Sequence, residues 1–258
     1  MEKVTSADGT TIAYERLGTG PRLILVGGAL CDRRSLLPLA TELARHFDVV
    51  TYDRRGRGDS ADSPTYGVQR EVDDLGALLT AIGGTAAVYG HSSGAGLVAI
   101  AASTGLPFTK VVLHEPPYGP DDAEPTGDAD AVLELLAAGH RLEAVERHLM
   151  MTGMPEPMAR EYAATPGLAE CAPTLAYDYT VMGLTVGSHV PVEVLAKVTQ
   201  PTLVVAGSAS PPFMVDTARR IATILPAARY AELADQHHVV PPEILAPVLH
   251  DFLSSRKD

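Results

Sequence analysis

The 258 residues predict an α/β fold: a mostly parallel central sheet with helices on both faces and one helical segment inserted between two strands. Three observations carry this reading. Short apolar runs alternate with amphipathic stretches through residues 1–117, the rhythm stops over 118–194, and it resumes over 195–258. A crossover between parallel strands needs a helix, so strand–helix alternation and a parallel sheet go together. Residues 1–117 and 195–258 are therefore read as one core and 118–194 as a helical cap, although length alone would also admit two domains.

Residues 10–17 (TTIAYERL) alternate as a half-buried strand does, after a turn signal at Asp8-Gly9. Arg22 to Val26 is a continuous apolar run ending at Gly27-Gly28, suited to a strand buried on both faces. Leu36 to Leu43 has helical spacing, and Phe47 to Tyr52 is a second buried strand. Apolar residues at 68, 72, 75, 78, 79 and 82 make an amphipathic helix that stops at Gly83-Gly84. Ala86 to Tyr89 and Lys110 to Leu113 are strands flanking a small-residue helix over Ala95 to Ala102. Helical patterns then occupy 129–151, 156–164 and 173–186. Strands at 202–206 and 228–233 follow, with helices at 213–224 and 242–253.

Composition narrows the function. Hydrophobic residues at 46% and charged residues at 20% are those of a globular chain. With aromatics at 5% and no Trp there is no base-stacking platform, and 20 Lys+Arg against 32 Asp+Glu give −12, opposite in sign to a phosphate-tracking surface. Nucleic acid is excluded as a partner. No apolar run reaches the ~18 residues that span a bilayer, and Met1 to Ser6 lack the charged and apolar regions of a signal peptide. Two cysteines, Cys31 and Cys171, supply no disulfide framework. The expectation is a soluble cytoplasmic protein, free of membrane, that acts on a small molecule; its oligomeric state is open.

Gly90-His91-Ser92-Ser93-Gly94 fits G-x-S-x-G directly after one predicted strand and before a predicted helix. Such a serine occupies a sharp strand-to-helix turn that lifts its oxygen clear of the sheet, and the flanking glycines let backbone approach without a Cβ.

With this motif in that context, the chain resembles the α/β-hydrolase superfamily over nearly its whole length. Leu25-Val26-Gly27-Gly28-Ala29-Leu30 is similar to the oxyanion loop, Tyr52-Asp53-Arg54-Arg55-Gly56-Arg57-Gly58-Asp59-Ser60 to the D-x-R-G-x-G-x-S turn, and Gln236-His237-His238 to the C-terminal histidine loop. The resemblance implies Ser92 as nucleophile, His238 as base with His237 the alternative, and the Ser93 and Ala29 N–H groups as oxyanion hole. The usual His-Gly is replaced by Gly27-Gly28, which removes the packing of an imidazole. It implies no cofactor. A metal at the paired histidines is disfavoured because neighbouring side chains on extended backbone point apart.

The acid departs from the pattern. The usual aspartate position, after the strand at 202–206, holds Ser210, and a hydroxyl cannot stabilise an imidazolium as a carboxylate does. Some family members, many haloalkane dehalogenases among them, carry the acid after the preceding strand, where this chain has Glu115. Glu115 is the expected acid and Asp216 the fallback. The comparison stops there, since those enzymes use Asp as nucleophile and position 92 is Ser.

Asp53, Arg54, Arg55 and Arg57 read as a structural turn with an internal ion pair, Cys31 as a small apolar neighbour, and His46, His114, His140, His148, His189 and His250 as surface or packing residues. Met150, Met151, Met154, Met158 and Met182 fall in the cap and suit a lid over an irregular apolar ligand. The expected activity is serine hydrolysis of a small, largely apolar carboxylic ester, thioester or lactone. The alternative is a hydrolase-like scaffold that serves as a lyase, cyclase or cofactor-free oxygenase, or that binds a ligand without turnover.

Overall fold

A computed structural model describes residues 1–120 and 124–255. Among these, eight strands form one sheet: β1 (Glu2–Thr5), β2 (Thr11–Leu17), β3 (Arg22–Val26), β4 (Asp48–Tyr52), β5 (Ala86–His91), β6 (Phe108–His114), β7 (Thr202–Gly207) and β8 (Ala228–Leu233). Their spatial order is β1-β2-β4-β3-β5-β6-β7-β8. The β1–β2 and β2–β4 pairs are antiparallel, and the remaining pairs are parallel.

Period-two alternation sorts the buried residues of the central strands onto two faces. Ile24 and Val26 of β3 join a core with Val50, Val88, Leu75 and Leu78, whereas Leu23 and Leu25 join the opposite core with Val49, Tyr89, Leu245 and Leu249. The helices that cover these faces are α1 (Leu37–Leu43), α2 (Val68–Ala81) and α3 (Ser93–Ser103), and, after the insertion described next, α10 (Pro212–Ile224) and α11 (Pro242–Ser254). Each fully buried leucine contributes about 1.5–3 kcal/mol, so the stripe of α2 at Leu75, Leu78 and Leu79 holds that helix firmly to the sheet.

Between β6 and β7 lie α4 (Asp128–Ala137), α5 (Arg141–Met151), α6 (Glu156–Ala163), α7 (Leu168–Cys171), α8 (Leu175–Met182) and α9 (Val192–Leu195), with an isolated bridge from Gly119 to His189. This segment has its own apolar cluster, built on Val132, Val145, Leu149, Leu175 and Tyr179. Val181 and Met182 of α8 instead join the core cluster around α3, which seats the insertion above the middle of the sheet.

Two details differ from the sequence expectation. β1 was not anticipated, because EKVT is a four-residue edge strand with three exposed positions and no apolar alternation to reveal it. The single pattern over 129–151 is two helices parted at Gly139-His140, since a helical period cannot register a turn that returns the chain on the same face. Among the described residues no helix is long and apolar enough to cross a membrane.

Candidate active site

Parallel strands end at a common edge, and that edge gathers the site. Ser92 lies between β5 and α3 with φ 56° and ψ −127°, a conformation that costs a non-glycine residue about 1–3 kcal/mol. The surrounding structure enforces it: the Ser92 N–H donates to His114 O at 2.9 Å, and the Ala95 N–H donates to Ser92 O at 2.9 Å. A Cβ on Gly90 would stand 2.5 Å from Gly94 O, and one on Gly94 would stand 2.6 Å from Val26 O. Neither position has room for a side chain. A Cβ on Gly28 would meet the Ser92 Cβ at 2.8 Å, which puts the loop after β3 directly against the serine.

One residue beyond β6, Glu115 is fully buried at φ 45°. Its Oε1 accepts the Gly207 N–H at 2.7 Å, and its Oε2 lies 2.6 Å from His238 Nδ1. Burial alone would raise the carboxyl. His238, the Gly207 N–H and the nearby buried Ser210 hydroxyl, which completes no full hydrogen bond, together hold it below the usual carboxylate range. Ser210 thus sits beside Glu115 of the neighbouring strand. His91 holds the histidine loop from behind, with Nε2 2.9 Å from His238 O and its ring 4.5 Å from the His238 ring. His237 is exposed. Asp216 is exposed on α10 and pairs with Arg219 at 3.2 Å, away from this cluster.

The loop after β3 is held by arginines. Arg57 Nη1 donates to Gly28 O at 2.6 Å and Cys31 O at 3.1 Å, and Arg54 Nη1 donates to Gly27 O at 3.4 Å. Arg54 also donates from Nε and Nη2 to the two carboxylate oxygens of Glu71, both at 2.7 Å. The turn is structural, as expected, but its ion pairs are not internal to it. Asp53 pairs with Arg33, Arg55 with Asp74, and Arg54 with Glu71 on α2. Arg54 and Arg57 both reach Asp178 on α8.

The chain matches the model of the Alpha/beta hydrolase family over residues 23–246. It belongs to that family. An alpha/beta hydrolase from Sphaerobacter thermophilus is 45% identical, with 98% of this chain and 100% of that chain covered and a TM-score of 0.91. The uncharacterized hydrolase YraK of Bacillus subtilis is 41% identical over 91 residues, only 34% of this chain and 34% of that protein's length. A thermophilic esterase from Thermogutta terrifontis, 21% identical with 98% and 97% of the two chains covered, shares the fold at a TM-score of 0.75.

In this alpha/beta hydrolase, Ser92, Ser93, Ala29 and His238 line a common cavity of about 180 Å³. Met151, Tyr179, Met182, Leu184, Phe213 and Met214 make the apolar part of its wall, and Asp178 lies among its polar residues. Of the five methionines in the insertion, only Met151 and Met182 reach the cavity. Met150 and Met158 are exposed, and Met154 packs within the insertion. Cys31 sits behind the loop, where burial pushes its thiol up and makes it a poor nucleophile.

His148 was expected to be a surface or packing residue, and it corrects that reading by lining the cavity. Its Nδ1 lies 3.0 Å from Tyr179 Oη, and burial holds its pKa down at about 4, so it faces the cavity as a neutral imidazole. Helical spacing marked the face of α5 but could not say what that face meets.

Proposed function

We propose that the protein is a serine hydrolase that cleaves a small, largely apolar carboxylic ester, thioester or lactone through an acyl-enzyme on Ser92. The observation that carries the reading is the Glu115–His238 contact at 2.6 Å beside a serine held at φ 56° in the same cavity. A carboxylate on Nδ1 fixes the tautomer, leaving the Nε2 lone pair free to take a proton.

In the proposed sequence, His238 takes the Ser92 hydroxyl proton as Oγ attacks the carbonyl carbon. The Ser93 and Ala29 N–H groups hold the resulting oxyanion, and Glu115 stabilises the imidazolium. Collapse of the tetrahedral species breaks the bond to the leaving group, which departs with the proton from His238. Water, deprotonated by the same histidine, then attacks the acyl-enzyme and releases the acid.

The cavity volume bears on the substrate. About 180 Å³ is close to the ~150 Å³ of an apolar cavity that takes benzene, so the enclosed acyl part is small. The short methionine- and aromatic-lined wall favours an uncharged group.

A fluorophosphonate probe tests the reading. Wild-type protein should label at one site, and Ser92→Ala should abolish both labelling and p-nitrophenyl acetate hydrolysis, a loss of about 10⁴–10⁶ in kcat. Wild-type protein that does not label, or labelling that persists in Ser92→Ala, would reject it.

A further inference from the structure

Four charged side chains, of which Asp178 itself lines the cavity, take no part in the proposed proton transfers. Arg54, Arg57, Glu71 and Asp178 are each no more than 2% exposed. Two cations balance two anions, so the cluster is neutral as a whole. A simple clamp between insertion and core would need only the pairs among them, such as the Arg57–Asp178 contact at 2.7 Å. The remaining donors and acceptors go somewhere more specific.

Asp178 Oδ1 accepts the Ser93 hydroxyl at 2.7 Å as well as Arg54 Nη1 at 2.6 Å. Arg57, bound to Asp178 Oδ2, places its other arm on Gly28 O at 2.6 Å. Ser93 and Ala29 are the two residues whose N–H groups face the developing oxyanion in the proposed function. The Gly28 C=O and the Ala29 N–H are two ends of one peptide unit, and in a trans peptide they point in opposite directions. A guanidinium on the oxygen therefore fixes where the N–H points, and it draws charge from the amide so that the N–H becomes a stronger donor.

We propose that Asp178 is a positioning residue for the oxyanion hole. Through Arg57 it orients the Gly28–Ala29 peptide, and through the Ser93 hydroxyl it orients the first turn of α3. Both donors are thereby aligned by one carboxylate on the helical insertion, and the hole is complete only when α8 is seated. Asp178 remains ionised because burial, which opposes the charge, is outweighed by Arg57, Arg54 and the Ser93 hydroxyl. The inference rests on the acyl-enzyme reading above, and it assigns the insertion a part in the chemistry besides enclosing substrate.

The test compares wild type with Ser93→Ala, Asp178→Asn and the double variant on p-nitrophenyl acetate, with active sites counted by a fluorophosphonate. Ser93→Ala keeps the backbone N–H and leaves no buried charge unpaired, so it stays informative if Asp178→Asn folds poorly. Per labelled site, kcat should fall about 10-fold in Ser93→Ala and about 10²–10³-fold in Asp178→Asn, with KM within about threefold. The Ki of a trifluoromethyl ketone, which forms a tetrahedral oxyanion on the serine, should rise in parallel, and the double variant should be no worse than Asp178→Asn. Variants with fewer labelled sites but wild-type kcat and Ki at each would overturn the proposal and leave a purely structural network. Wild-type protein that neither labels nor hydrolyses the ester would instead overturn the hydrolase reading, and this inference with it.

Discussion

On the β6–β8 flank of Ser92, Glu115 meets one histidine whose side chain is 26% exposed. On the opposite flank, Arg54, Arg57, Glu71 and Asp178 bond to one another at no more than 2% exposure. The difference follows from what each flank has to do. In the proposed function the group that exchanges protons is His238, which has one carboxylate partner and keeps access to water or substrate. Glu115 itself is held ionised by His238, the Gly207 N–H and Ser210. A group that aims hydrogen-bond donors needs constant charge, and in low dielectric that is secured by redundant partners. Glu71 shows the second pattern: burial opposes its ionisation, but Arg54, through Nε and Nη2, and the Tyr66 hydroxyl keep it charged.

The largest effect that would break this contrast is expected on the flank of Glu115 and His238. Glu115→Gln keeps the size of the side chain but offers the wrong partner to His238 Nδ1, and kcat for p-nitrophenyl acetate should fall by about 10²–10⁴. Near-normal turnover would mean that the pair at 2.6 Å is structural. A smaller effect sharpens the assignment. Ser210 lies beside Glu115, so Ser210→Asp in the Glu115→Gln background restores a carboxylate at the family's usual strand and should recover at least about 10-fold of the lost rate. No recovery would show that only the end of β6 can serve His238.

The smallest effect is on stability against pH. Burial holds His91 near 3 and His148 near 4, both below their ordinary 6.5. Each is neutral when folded and protonates first when unfolded, so the unfolded chain binds more protons below 6.5 and stability drops as the pH falls. Glu71 and Glu115, depressed below their ordinary 4.5, stabilise the fold above that value and give up their contribution only as the pH falls below it. Thermal denaturation from pH 8 to pH 4 should show Tm declining from about pH 6.5, at about 2–4 °C per kcal/mol lost, and more steeply below 4.5. A Tm that is flat down to pH 5 would contradict the neutral, buried state of these histidines.

Much of the site was legible in order along the chain. G-x-S-x-G after a strand located Ser92, and a carboxylate directly after Val111-Val112-Leu113-His114 located Glu115. The first is a local signal, and the second rests on the resemblance to family members that carry the acid after that strand. Strand ends in a parallel sheet then bring the two together. The counter-charges of the arginine turn were not legible. Arg54 and Asp178 are 124 positions apart, and Asp178 looks like any polar residue within a helical pattern. One signal was available: Glu71 and Asp74 fall among the apolar positions of α2, where acids are costly unless they meet buried cations.

The sequence by itself determined the layered architecture and the elbow, because periodicity, glycine spacing and motif order are properties of consecutive residues. Tertiary structure alone decided what the missing imidazole at Gly27 was replaced by. Guanidinium groups from the next turn hold the loop by its carbonyls, and a carboxylate from the helical insertion holds one of those guanidiniums in place. Side chains at the ends of long contacts are chosen by the packing of distant elements, and no local pattern records that choice.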